Sequence, residues 1–243
     1  MNDATDYRFV AHLDMLGMSE LALRDPDRAW AALSALSHAR DERFGLEVRI
    51  TDTGQPIHDR VTTFTFSDTV VAFTAGNTIA DLRAIVVLVT EFFAKALSLC
   101  IPLRGGIAYG RFMFNFGCNL FAGPALVHAC HLGEETQWLG LRVDEEVAAR
   151  AKAIPLLAGP RNEPTIISWA IPSEREPNEP SHVINWVASH RTSFTVSREV
   201  SLSEFYGPFE SMFGIFESLP LTVQRKCINT LAFLNAQLFQ SAP

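Results

Sequence analysis

Between Arg60 and Phe73 the chain alternates apolar and polar residues twice, and the two runs are separated only by Ser67-Asp68. Alternation of period two marks strands with one face on a core, and a two-residue polar break between such runs marks a tight hairpin. The hairpin therefore carries an acid at its tip. Directly after it, Ile79, Leu82, Val86, Val89, Phe93 and Leu97 recur at helical spacing, which predicts a long helix over about 78–99. A hairpin feeding a long buried helix commits the chain to a sheet with helices on it.

The flanking segments extend the pattern. FVAHLDML, within Arg8 to Met15 and the residue beyond, reads as a short buried strand that ends in Asp14 and runs into Gly17. Ser19 suits the cap of a following helix, which Pro26 bends or breaks. Residues 46–52, EVRITDT, alternate like a strand. After the long helix comes LRGGIAYGRFMF, a strand whose glycines allow close backbone approach. Gly123-Pro124 opens a helix, GLRVD is a short strand and EEVAARAKA another helix. The order β-α-β-β-α-β with additions predicts an α+β fold with a ferredoxin-like core. In that topology the first strand and the hairpin are neighbours, so Asp14 and Asp68 meet although 54 residues separate them. Residues 154–181 read as loops around a strand from Thr165 to Ile171, and HVINWVA as another strand. The tail reads as a helical hairpin joined at Pro220. Residues 1–190 are expected to form the main domain, with 191–243 a helical extension packed on it.

The formal net charge of −7 and the lack of any basic run exclude a nucleic-acid surface. Four scattered cysteines without zinc spacing suit a reduced, cytoplasmic protein. The most apolar stretch, Ala84 to Leu103, carries Glu91 and Lys95, so it is a core helix rather than a membrane span.

Two carboxylates meeting at strand ends repel unless a cation lies between them, and hard divalent ions favour such oxygens. Taken singly, either acid is an ordinary turn residue. The surrounding motifs change that reading. FVAHLDMLGMSEL resembles the first metal motif of the class III adenylyl and guanylyl cyclases, a strand ending in Asp-x-x-Gly-x-Ser/Thr. TFSDTVVAF resembles their second metal motif, LRGGIAYGRF their Arg-x-Gly-Ile-x-x-Gly strand, and GPALVHACHL their transition-state helix. The four stand in family order over residues 8–135. The phrases FSDTVV, RGGIA and FAGPAL, and the later HVINWV, are most similar to the bacterial pyrimidine cyclases of the Pycsar antiphage system.

The resemblance implies a cyclase of nucleoside triphosphates with two Mg²⁺ or Mn²⁺ ions per site, held by Asp14, Asp68 and the Met15 carbonyl. It implies that the N–H groups of Gly17, Met18 and Ser19 cradle the triphosphate, as helix N-termini do for anions, and that Arg104 contacts it. It further implies a homodimer, each site shared between subunits, and a product read by a separate effector protein. Two departures narrow the substrate. Purine cyclases read the base from positions that correspond to Phe64 and a residue near Leu120, and neither side chain here reads a base edge by hydrogen bonds. Phe64 is equally a core residue of an alternating strand. In the last helix Val127 and His131 stand where the family has Asn and Arg; His128 and Arg142 are alternative sources of positive charge. Three activities stay open: a cyclase making cUMP or cCMP with UTP favoured, a purine nucleotide cyclase, and a catalytically degenerate nucleotide-binding homologue.

Overall fold

The computed structural model describes residues 7–45, 60–172, 180–190 and 199–239. The expected strand at 46–52 and the junction between main domain and tail at 190–191 fall on or against residues outside these ranges. In chain order the elements begin β1 (Tyr7–Met15), α1 (Met18–Arg24), α2 (Pro26–Gly45), β2 (Val61–Phe66), β3 (Thr69–Thr74), α3 (Ile79–Ser98) and β4 (Leu103–Arg111). They continue β5 (Met113–Asn115), β6 (Leu120–Ala122), α4 (Pro124–Glu134), β7 (Leu141–Val143), α5 (Glu145–Ala151), β8 (Leu157–Ala158) and β9 (Glu163–Pro164). The last are β10 (Ile166–Ala170), β11 (Pro180–Ile184), α6 (Trp186–His190), α7 (Leu202–Phe213) and α8 (Leu221–Phe239).

A seven-stranded sheet runs in the order β10-β11-β7-β4-β1-β3-β2. Its β4-β1-β3-β2 part is antiparallel throughout, which is the expected ferredoxin-like arrangement, and β7 joins β4 in parallel. Side chains of β1 alternate between two cores. Phe9, Ala11, Leu13 and Met15 enter the main core with α3, while Val10 enters a second one with Val71, Phe73, Phe112 and Ala125 on the side of α4. Helix α3 is apolar almost all round and correspondingly buried. Its start is fixed by a reciprocal cap: Asp81 N–H donates to Thr78 Oγ at 3.2 Å, and Thr78 N–H donates to Asp81 Oδ2 at 2.9 Å. Asp81 also pairs with Arg60 at 3.2 Å, which ties the helix to the start of β2.

Two local expectations are revised, and one alternative is decided. Pro26, expected to bend or break the early helix, breaks it: α1 stops at Arg24 and Pro26 takes the first position of α2, where a missing N–H costs nothing. The strand expected through FMF ends at Arg111. Phe112 turns fully inward, its ring 4.9 Å from Phe73, and β5 pairs with β6 in a separate ribbon. HVINWVA is a strand only as far as Ile184. Asn185 then leaves the sheet, its side chain accepting from Ala188 N–H at 3.3 Å, and α6 follows. In the tail, Phe233 and Leu234 of α8 are part of the main core, and Phe233 meets Trp138 edge-on at 4.9 Å. Among the described residues no helix is long and apolar enough to cross a membrane.

Candidate active site

Asp14 lies next to the end of β1 in a row formed by three strands. Its register partners are Thr69 on β3 and Arg104 on β4, and facing residues of antiparallel strands point to the same side. Asp68 sits in the turn between β2 and β3, where Phe66 pairs with Thr69 and only Ser67-Asp68 lies between. Ser67 adopts a left-handed φ of 55°, as the first position of a primed hairpin turn requires. The turn is fastened to β1 by Met15 N–H, which donates to the Asp68 carbonyl at 2.9 Å. The two acids, 54 positions apart, are thus held together by strand register and one backbone bond.

Both carboxylates have partners. Arg104 Nε donates to Asp14 Oδ2 at 2.9 Å, and Ser19 Oγ donates to Asp68 Oδ2 at 2.9 Å. Arg104 also reaches the Glu134 carbonyl through Nη1 at 3.4 Å. A guanidinium beside one carboxylate and a hydroxyl beside the other offset part of the repulsion between the acids. Among the described residues no group of three or more His, Cys, Asp or Glu side chains is arranged to hold a metal.

The turn after β1 is built around Gly17, whose φ of 74° favours glycine. Leu16 N–H donates to the Pro102 carbonyl at 2.9 Å, and Met18 buries its side chain in the main core. Helix α1 starts at Met18, so the first N–H groups there have no intrahelical acceptor, but at seven residues it has little dipole to add.

The remaining expected residues lie on β2, the β5-β6 ribbon, α4 and β7. Val127 and His131 stand one turn apart on the exposed side of α4, Val127 being 54% exposed. Leu120 is 62% exposed on the outer face of the β5-β6 ribbon. Phe64 stacks on Phe121 with centroids 4.1 Å apart and meets Phe73 edge-on, inside a cluster of phenylalanines. His128 Nδ1 is 3.6 Å from Asp144 Oδ2, and Arg142 Nη1 is 3.6 Å from Glu135 Oε2, so both candidate cations face acids of their own.

The structure adds three residues beside Asp14 that sequence reasoning passed over: His12, Cys130 and Glu134. Burial pushes the His12 pKa down, against the raising effect of Asp14 and Glu134, with Arg104 lowering it further. Burial, then Glu134 and Asp14, push the Cys130 thiol up to about 11, with Arg104 opposing. His12 stands two residues before Asp14 on one strand, so period-two reasoning sufficed to put it on the same face. Cys130 and Glu134 arrive through the packing of α4 on β4, and no local pattern announces that.

No protein-family model and no curated protein matches the sequence. Solved structures do match the fold. The adenylyl cyclase CyaB from P. aeruginosa superposes with a TM-score of 0.50 at 13% identity, over 80% of this chain and 97% of that one. The dimeric guanylyl cyclase domain of the RhoGC fusion protein from the aquatic fungus Blastocladiella emersonii gives 0.52 at 10% identity, over 74% and 96%. The catalytic core of a rhodopsin-guanylyl cyclase with converted specificity, in complex with ATPαS, gives 0.51 at 11% identity, over 73% and 94%. The chain has the fold of the adenylyl and guanylyl cyclase catalytic domains.

Proposed function

We propose that this chain is a metal-dependent nucleotidyl cyclase that converts UTP into 3′,5′-cyclic UMP and pyrophosphate, as a signal in bacterial antiphage defence read by a separate effector protein. The observation that carries the reading is the meeting of Asp14 and Asp68 at one end of the sheet with Arg104 directly beside them. The donor set suits Mg²⁺ or Mn²⁺. It offers two carboxylates and the Met15 carbonyl, all hard oxygens, and such ions complete their shell from substrate phosphates and water. Two ions bound there would acidify the ribose 3′-hydroxyl and offset charge on the triphosphate.

The chain's own residues then have separable tasks. Asp14 and Asp68 hold the metals. Arg104 exchanges its bond to Asp14 for phosphate oxygens, which a planar guanidinium matches well. The N–H groups of Gly17, Met18 and Ser19 face the triphosphate. The ribose 3′-hydroxyl gives up its proton to water as its oxygen attacks the α-phosphorus in line; the new bond forms as the bond to the bridging β-phosphate oxygen breaks, and pyrophosphate leaves. Positioning and charge stabilisation supply the rate, with no covalent enzyme intermediate.

Apolar side chains at Phe64 and Leu120 support a pyrimidine, because a purine edge would find no partner for its polar groups there. With the four nucleoside triphosphates at equal concentration and Mn²⁺ present, cUMP is expected to exceed cAMP and cGMP by roughly a hundredfold, measured by mass spectrometry. Predominant cAMP or cGMP overturns the pyrimidine reading. Predominant cCMP corrects only the choice between uracil and cytosine, and no product from any triphosphate favours the degenerate homologue that Val127 would suit.

The homodimer reading rests on the outer faces of α4 and the β5-β6 ribbon, where Met113, Phe116, Leu120 and Val127 are all exposed. If His131 of one subunit serves the metal site of the other, mixing inactive Asp14→Ala with inactive His131→Glu restores activity. Random pairing at equal amounts gives about a quarter of the wild-type rate, since half the dimers keep one of two sites. Full activity of a dilute monomer in size-exclusion and turnover measurements refutes the shared site.

A further inference from the structure

A cavity of about 150 Å³ lies outside the carboxylate site, between the turn that follows β1 and the C-terminal helices α7 and α8. One wall is Leu16, Leu21 and Pro102; the other is Phe209, Phe213 and Val223. We propose that this cavity is a binding site for a small apolar acid, a compact aromatic or branched aliphatic body carrying a single carboxylate.

Size and lining set the body of the ligand. A cavity of this volume with mainly apolar walls takes a molecule about the size of benzene. The polar side chains that reach its interior remain uncharged near neutral pH. Burial, helped by Cys227 and Glu210, pushes the Tyr206 phenol up to about 12, and its hydroxyl is already committed to the Gly214 carbonyl at 2.8 Å. Burial pushes the Cys227 thiol up to about 11, with Lys226 opposing. A charged body is therefore excluded from the interior.

The mouth sets the head group. Arg24, exposed at the end of α1, lines the cavity beside Lys226 and Glu20. Arg24 is held in place by its bond from Nη2 to the Met212 carbonyl at 2.6 Å, and the remaining guanidinium N–H groups suit a carboxylate.

The site bears on the turn it borders. A Cβ at Gly17 would lie 3.1 Å from the Phe213 ring, so Phe213 rests directly against the glycine whose φ of 74° shapes the turn. A ligand that shifts Phe213 shifts that turn. This last step rests on the cyclase reading, in which the turn cradles the triphosphate.

Three probes test the site on the full chain: 3-phenylpropanoate, the isosteric neutral 3-phenylpropan-1-ol, and acetate. The acid should raise the melting temperature in a concentration-dependent way and titrate by calorimetry to one site per chain. The alcohol should bind about fivefold more weakly, having lost a half-exposed ion pair, and acetate should not bind. Arg24→Gln combined with Lys226→Gln should bring the acid and the alcohol to equal affinity. Val223→Trp fills the cavity and should abolish binding of both. If that variant does not fold, nuclear Overhauser contacts from the ligand ring to Phe213 in the wild-type chain decide the location. No shift with the acid, a shift that survives Val223→Trp, absence of Phe213 contacts, or equal binding of acetate each overturns the site. In the turnover assay, bound acid should change KM for the triphosphate at least twofold; binding with an unchanged KM overturns the coupling. A chain that binds the acid but cyclises no triphosphate refutes the cyclase reading and leaves the site standing.

Discussion

Asp14→Ala and Asp68→Ala are each expected to lower cyclic nucleotide production by roughly a thousandfold or more, the loss typical when a preorganised charge is removed from a developing transition state. The fold should survive both. Asp14 accepts from Arg104, and the two side chains are 26% and 18% exposed, so losing this part-buried charged hydrogen bond costs about 1.5–3 kcal/mol, which leaves the fold standing. Among the described residues Asp68 Oδ2 accepts from Ser19 Oγ at an exposed position, and water replaces that bond readily. Melting curves beside product yields separate the two effects. A flat melting temperature with near-normal turnover in either variant would end the two-carboxylate assignment. Arg104→Ala gives a different signature: it leaves Asp14 without its guanidinium and should raise KM along with lowering kcat, because the arginine serves the bound triphosphate as well as the reacting phosphorus.

Much of this site is legible because it is made by sheet register. Alternation on either side of Ser67-Asp68 places the turn, and the β-α-β-β order puts β1 against β3. In the ferredoxin-like topology that this order predicts, the meeting of Asp14 with Asp68 follows. Arg104 is reached in the sequence only through the resemblance of LRGGIAYGRF to the cyclase strand; that it lies opposite Asp14 comes from the register of β4 on β1.

What the sequence conceals depends on packing across layers. Glu134 comes close to Arg104 because Gly106 on β4 and Gly133 on α4 let the helix lie on the strand, a contact with no period to read. Phe64 stacks on Phe121, a residue 57 positions later on a ribbon that separates from the sheet only because Phe112 turns inward. The docking of Phe213 on Gly17 spans 196 positions and arises from an amphipathic tail whose partner the local pattern does not name. The strand-to-helix switch at Asn185 is hidden for a related reason: WVA is apolar and suits a buried strand or a buried helix alike, and the Asn185 side chain that accepts from Ala188 N–H starts the helix.

The contact of α4 with the sheet yields the strongest stability prediction. A Cβ at Gly106 would lie 2.5 Å from the Ala129 carbonyl oxygen and 2.5 Å from Leu132 Cβ, both on α4. Neither neighbour is the free end of a flexible chain, so α4 must lift. Gly106→Ala is therefore expected to cost about 3 kcal/mol, at the upper end of overpacking penalties. For a domain of this length that lowers the melting temperature by roughly 6 to 12 °C. Gly207→Ala is the matched comparison. It sits inside α7 with nothing beyond its chain neighbours within 4 Å of the added Cβ, so the gain in helix propensity of about 1 kcal/mol is offset by the crowding of that Cβ against the following Pro208, and the net change should be small. The two variants add the same methyl group, and only Gly106→Ala is expected to lower the melting temperature strongly. Gly106→Ala should also weaken turnover more than its stability loss explains, because α4 carries His131 and the Glu134 carbonyl that receives Arg104. Equal melting temperatures for the two variants would mean that α4 is not seated on Gly106.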